Sequence, residues 1–162
     1  MSTDFYQTSI LPYAAIIIKI CRAYTDSQAD FDDYYQEVCL QIWRSRDKFE
    51  QKSQWSTWIY RITLNVCMTL LKGKKRRKED HYETMPHHSM EDNQAFANES
   101  LNLLYDAIKK LSEVDRAVIL LYLEEKSYQE IADIIGTNHN NIGVRINRIK
   151  ERLKKLLDGK VN

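Results

Sequence analysis

A chain of 162 residues with 43% hydrophobic side chains can fill packed cores, which excludes global disorder, and its length suits one domain or two small ones. Four glycines and two prolines leave few turn signals, which disfavours many short strands and favours long helices. The net charge of +1 hides a segregation: six of the seven residues 72–78 are Lys or Arg, whereas residues 79–100 hold six acidic residues and no basic ones. That pattern marks a polyanion-binding edge running into a tether.

In chain order, residues 4–24 carry apolar side chains at helical spacing, with Pro12 kinking the helix or opening its second part. The apolar run 10–18 contains that proline and falls short of the ~20 residues a membrane span needs. The start at Met1 has no positively charged region of the kind that precedes an export signal. A cytoplasmic location is expected. Residues 25–30 form a polar break with candidate caps. Over residues 30–46, Phe31, Tyr35, Val38, Cys39, Ile42 and Trp43 trace one helical face, and Asp32, Asp33, Gln36 and Glu37 lie on the other. After a polar loop at 47–54, a third helix is expected from Trp55 to about Leu71. Its apolar stripe is Trp55, Trp58, Ile59, Ile62, Val66 and Leu70, and Gly73 is read as its C-terminal cap. The basic run follows, and then an aperiodic acidic stretch that reads as a linker.

The second half is more densely marked. Leu101, Leu104, Ala107, Ile108 and Leu111 fit one amphipathic helix. Ser112 with Asp115 resembles a capping box ahead of Val114, Ala117, Val118 and Leu121. Ser127 with Glu130 is a full capping box, opening a short helix with Ile131, Ile134 and Ile135 inward. Gly136, Thr137 and Asn138 form a turn, and a last helix carries Ile142, Ile146, Ile149, Leu153 and Leu156 on one stripe. This is the order of a helix-turn-helix: Ala132 is small where two helices must cross, and Gly136 tolerates the positive φ of the turn.

A reading helix must bury one stripe and leave the opposite face free for the major groove. At 100° per residue from Ile142, the residues Asn140, Gly143, Val144, Asn147, Glu151 and Lys154 point away from the core. Arg145, Arg148 and Arg152 lie along a flank suited to phosphates. Asparagine makes bidentate contacts with adenine, and arginine contacts guanine or phosphate.

Cys21, Cys39 and Cys67 are far apart, have no metal-ligand spacing and sit in apolar patterns, so they read as buried small hydrophobes. His87 and His88 lack acid or thiol partners at ligand spacing. Trp55 and Trp58 lie on the apolar stripe and are read as core rather than base-stacking. No cofactor, metal or catalytic residue is implied, and the chain is read as non-enzymatic.

Four stretches together resemble the extracytoplasmic-function sigma factors, the small two-domain group of the sigma-70 family. Asp32-Asp-Tyr-Tyr-Gln-Glu-Val-Cys-Leu-Gln-Ile-Trp43 is similar to the family's Glu-Asp-Leu-Val-Gln-Glu-Thr-Phe-Leu-Arg-Ala-Trp. Trp58-Ile-Tyr-Arg-Ile-Thr-Leu-Asn65 resembles its Trp-Leu-Tyr-Arg-Ile-Ala-Arg-Asn, with the basic run following. Leu111-Ser-Glu-Val-Asp-Arg-Ala-Val-Ile-Leu resembles the start of its C-terminal domain. Ser127-Tyr-Gln-Glu-Ile-Ala-Asp-Ile-Ile-Gly136 and Val144-Arg-Ile-Asn-Arg148 resemble its helix-turn-helix.

The resemblance implies an all-α protein with an N-terminal domain over residues 1–78, a linker at 79–100 and a C-terminal domain over 101–162. The first would dock on a coiled coil of core RNA polymerase through Asp33, Gln36 and Glu37. It would also open the −10 element with Arg61, Asn65, Lys72, Lys74, Lys75, Arg76 and Arg77. The second would read the −35 element of promoter DNA with Asn140, Asn141, Val144, Arg145, Asn147 and Arg148. An anti-sigma factor is implied as a further partner. Many relatives have Lys or Arg where this chain has Gly143, which removes a contact on the reading face. Two other classes stay open: a helix-turn-helix regulator with a dimerising or sensing N-terminal half, and a small helical enzyme. The enzyme would need clustered ligands, a nucleophile–base pair or a phosphate-binding glycine loop. None is visible in the sequence.

Overall fold

The computed structural model describes residues 3–80, the side chains of 78–80 excepted, and residues 99–158. The expected linker falls mostly outside these, as do His87, His88 and the side chain of Lys78. All described elements are helical, and they divide into two compact units, one before and one after the linker.

The first unit opens with one turn of α-helix (α1, Thr3–Phe5), a π-helical stretch Tyr6–Ile10 and a 3-10 turn Leu11–Tyr13. Pro12 lies second in the tighter turn, among the first positions, where its missing N–H costs nothing. Helix α2 (Ala14–Ala23) buries Ile16, Ile17, Ile20 and Cys21. Helix α3 (Gln28–Arg44) starts at Ser27, whose hydroxyl accepts the Asp30 N–H at 3.1 Å. That cap satisfies one donor the helix end leaves open. The buried line of α3 is Tyr34, Val38, Cys39 and Ile42. Tyr34 thus belongs to the core, while Phe31 and Tyr35 from the expected stripe are half-exposed.

Helix α4 departs most from expectation. It runs from Trp55 to Asp80, straight through Gly73. Gly73 is therefore an interior residue and not a cap. An interior glycine costs about 1 kcal/mol relative to alanine. The lysines and arginines that follow favour the helix, and an ion pair from Lys74 to Asp30 fixes the extension on α3. The core line is also rotated from the expected stripe. Ile59, Tyr60, Thr63, Leu64 and Cys67 are buried, whereas Ile62, Val66 and Leu70 remain partly exposed. The buried Thr63 hydroxyl donates to the Ile59 carbonyl at 2.8 Å, so no polar group there is left open.

Trp55 and Trp58 enter an aromatic cluster with Phe5, Trp43 and Phe49, at centroid separations of 5.0–6.3 Å. The Trp55 indole N–H donates to the Ser9 carbonyl at 2.8 Å. This anchors the N-terminal turn to the start of α4.

The second unit contains α5 (Glu99–Ile108), α6 (Glu113–Leu123), α7 (Tyr128–Ile135) and α8 (His139–Leu157). Three of these helices begin at a side-chain cap: Ser112, Ser127 and Asn138 accept the N–H of Asp115, Glu130 and Asn141. Between α5 and α6 the buried Arg116 donates to the carbonyls of Leu111 and Lys109. Gly136 ends α7 at φ +92°, and its N–H and that of Thr137 both reach the Ala132 carbonyl. Glycine adopts that φ without penalty. Ala132 is fully buried in the helix-turn-helix. Helix α8 packs on α5, α6 and α7 through Ile142, Ile146, Ile149 and Leu153.

Candidate nucleic-acid interface

In the first unit, the exposed side of α3 presents Asp33 and Gln36, with Glu37 half-exposed and 3.9 Å from the Arg44 guanidinium. Glu37 also faces α4. With Gln41 it lines a groove of about 330 Å³ whose other wall is Ile62, Asn65, Val66, Thr69 and Leu70. The groove brings together Glu37, a docking candidate, and Asn65, a strand-opening candidate. Its floor is the apolar line that the sequence suggested was core.

Beyond the groove, Lys72, Lys75, Arg76 and Arg77 are exposed on the last turns of α4, while Arg61 is half-exposed. Lys74 differs. It turns onto Asp30 in the first turn of α3, with both side chains about one-third exposed. Its charge is already answered within the unit, and the carboxylate it meets also suits the positive end of the α3 dipole.

Behind these surfaces the three cysteines converge instead of lying apart. The Cys21 and Cys67 sulfurs are 3.8 Å apart, and all three thiols are free and buried. Burial pushes the Cys39 thiol up to about 11. The hydrogen bond with Cys21, together with burial, raises Cys67 well above the ordinary range.

In the second unit, α8 presents Asn140, Val144, Asn147 and Arg148 to solvent, opposite its buried isoleucine stripe. Asn141 is exposed too, but its amide donates to the Thr137 hydroxyl at 3.1 Å and its N–H is held by the Asn138 cap. Two residues of the expected basic flank, Arg145 and Arg152, and the neighbouring Lys150 are hydrogen-bonded within the unit, while Arg148 stays open. Arg145 Nη1 meets Asp115 Oδ1 at 2.7 Å, Arg152 Nη2 donates to the Lys110 carbonyl, and Lys150 Nζ donates to the Tyr122 hydroxyl at 2.6 Å. That hydroxyl holds Lys150 above its usual range, and the ammonium also sits 4.4 Å over the Tyr122 ring. These contacts tie α8 to α6 and to the α5–α6 turn, which sets the attitude of the reading face. Arg145 is thus a brace more than an open phosphate ligand.

Gly143 corrects a second expectation. It does not stand open on the outward face: a β-carbon there would lie 3.4 Å from Tyr128 Cε2. Tyr128, absent from the sequence-derived site, comes into it through this contact. An aromatic residue directly after the Ser127 cap was the available signal. No group of three His, Cys, Asp or Glu among the described residues could hold a metal ion. No described helix is long and apolar enough to cross a membrane.

Residues 10–77 match the family model for sigma-70 region 2, and residues 101–153 match that for sigma-70 region 4. The chain is 30% identical to the extracytoplasmic-function sigma factor SigG of Mycobacterium tuberculosis over 88% of its own length, but spans only 46% of SigG. It is 30% identical to the sigma-E factor of Haemophilus influenzae, covering 79% of this chain and 75% of the relative. It is 26% identical to SigW of Bacillus subtilis, covering 90% and 84%. Among solved structures, RpoE of Bartonella quintana, crystallised with the anti-sigma factor NepR, superposes with a TM-score of 0.78 at 23% identity over 99% of both chains. CnrH in complex with the cytosolic domain of CnrY gives 0.70 at 20% identity, over 97% of this chain and 90% of the other. Sigma-70 regions 2 and 4 are therefore both present and in order, and the chain belongs to the extracytoplasmic-function group of the sigma-70 family.

Proposed function

We propose that this chain is an alternative sigma factor that binds core RNA polymerase and directs initiation at promoters carrying its −10 and −35 elements. The observation that carries the reading is α8, which presents Asn140, Val144, Asn147 and Arg148 outward from a helix-turn-helix whose inner stripe is fully buried. Such a face fits the major groove and carries side chains able to discriminate base edges.

The first unit takes the polymerase and the −10 element. Asp33, Gln36 and Glu37 offer an acidic, polar helix side to a basic partner, where charge complementarity supplies orientation and specificity. Arg61 and Asn65, with Lys72, Lys75, Arg76 and Arg77 on the exposed end of α4, hold the DNA strand. Lys74 contributes mainly by fixing that end on α3. The complex of RpoE with the anti-sigma factor NepR supports an anti-sigma factor as a second protein partner, and a cytoplasmic location follows from the proposed role.

The deciding experiment mixes the purified chain with core polymerase and assays complex formation and transcription from a promoter library. A stable complex with selective initiation is expected. Palindrome binding by the isolated chain, with no effect on polymerase, would overturn the proposal. Asp33→Lys with Glu37→Lys should abolish complex formation while helical content stays intact.

A further inference from the structure

Gly143 lies on the outward side of α8 between Asn140 and Asn147, where a longer side chain would project toward a groove. The space is occupied from another helix. A β-carbon at 143 would be 3.4 Å from Cε2 and 3.6 Å from Cδ2 of Tyr128, so the tyrosine ring stands where a side chain at 143 would extend. Tyr128 is the first residue of α7, and the Ser127 cap holds the start of that helix. The ring is not a core residue, since it is 39% exposed. Val144, the residue after the glycine, is 60% exposed, more than any other large hydrophobic residue described.

Tyr128 and Val144 therefore add apolar surface to a face that is otherwise asparagine and arginine. On a groove-facing surface such exposed apolar groups are placed to meet an apolar feature of a base edge. In the major groove the apolar feature on a base edge is the thymine C5-methyl group. Phosphates and the other base edges offer chiefly hydrogen-bonding groups instead.

We infer that Tyr128 is a specificity-determining residue that reads a thymine methyl in the −35 element, standing where Gly143 supplies no side chain. A β-carbon at 143 would still meet the ring at about ordinary contact distance, so what glycine keeps out is a longer side chain. An arginine there would compete for the same space, exchanging an apolar reader for a cationic one. The inference rests on the proposed reading of α8 as the −35 reader.

The test transcribes a randomised −35 library with core polymerase and the full chain, then repeats it with deoxyuridine replacing thymine at each position. Deoxyuridine lacks only the methyl group. The wild-type chain should favour thymine over deoxyuridine at one position by about fourfold, the value of one buried methyl. Tyr128→Phe should keep that ratio, and Tyr128→Ala should bring it to one without changing preference elsewhere. Gly143→Arg should lower it as well. Tyr128→Gln serves the same comparison if the alanine variant melts early.

A thymine preference unchanged in Tyr128→Ala overturns the inference while leaving the −35 reading intact. So does a uniform loss at every sequence, which is the signature of a backbone contact. Loss of the ratio in Tyr128→Phe also overturns it, by assigning the contact to the hydroxyl. A wild-type profile flat across the −35 element removes the functional reading and the inference together.

Discussion

The two units place their cations in opposite ways. On α4 the basic residues run past the packed part of the helix, and Lys72, Arg76 and Arg77 are exposed while Lys74 is drawn onto Asp30. On α8 the pattern is reversed. Arg145, Lys150 and Arg152 are bonded to α6 and the α5–α6 turn, and the neutral Asn140 and Asn147 are displayed beside the exposed Arg148. A cluster of open charge grips any polyanion, with an affinity that salt erodes. A helix braced by its own charges holds a few uncharged donors and acceptors in fixed attitude, which sequence discrimination requires. The same residue types thus serve grip in one unit and alignment in the other.

The largest effect that could break this comparison lies in the cores. Ile146→Ala should cost the second unit about 2–5 kcal/mol through the cavity left beneath α8. All three tryptophans belong to the first unit, so tryptophan fluorescence reports that unit alone. The fluorescence transition should stay in place while a large part of the circular-dichroism transition moves to lower denaturant. A joint shift of both would contradict the division into two separately cooperative units.

Next in size is the distinction between reading and gripping. Asn147→Ala should cost about 1–3 kcal/mol at one −35 position only, if it contacts a base bidentately. Lys72→Gln should weaken all promoters alike and flatten the slope of log affinity against log salt by about 0.9 for the phosphate released. Finding the salt effect at Asn147, or the sequence effect at Lys72, would invert the assignment of the two units.

A smaller effect sharpens the role of the internal ion pairs. Both are about one-third exposed, so Asp30→Asn and Asp115→Asn should each cost no more than about 1 kcal/mol of stability. The brace at Asp115 predicts poorer −35 discrimination with total DNA affinity retained or increased, because Arg145 becomes available to phosphates. Discrimination left at the wild-type level in Asp115→Asn would show that the pair does not set the attitude of α8.

The last prediction, confined to alkaline pH, belongs to the first unit alone. The folded Cys39 thiol titrates at about 11 against an ordinary value of 9.0, so its neutral form is the one the core accommodates. The unfolded chain loses that proton first. The stabilisation is complete below pH 9 and fades as the pH rises from 9 toward 11. Urea midpoints followed by tryptophan fluorescence should fall across that window, and less steeply in Cys39→Ala once its own cavity cost is subtracted.

The helix-turn-helix was legible because its signals are local. Ser112, Ser127 and Gly136 each act on a backbone group within five residues, and the isoleucines of α8 leave only one possible buried stripe. The phase of α4 was not legible. Its apolar residues populate two neighbouring lines, one through Ile59 and Cys67 and one through Ile62 and Val66, so periodicity cannot choose which packs inward. Gly73 misled for a related reason, since composition does not distinguish a glycine at positive φ from one inside a helix. Arg145 read as an open phosphate-facing flank because its partner Asp115 lies thirty residues away. Tyr128 was passed over because its relation to Gly143 exists only once α7 and α8 have packed.

The continuity of α4 makes it a rigid shaft of 26 residues, about 39 Å long, with the aromatic cluster at one end and the basic run at the other. Any change in its residue count is a rotation as well as a translation. Inserting one alanine after Gly73 would swing the downstream cations by about 100° and advance them by about 1.5 Å, pulling Lys74 off Asp30. Inserting seven would nearly restore the angle while carrying the cations about 10 Å further from the groove. Angular phase and reach along this shaft can therefore be varied separately, using two insertions that leave every contacting side chain unchanged.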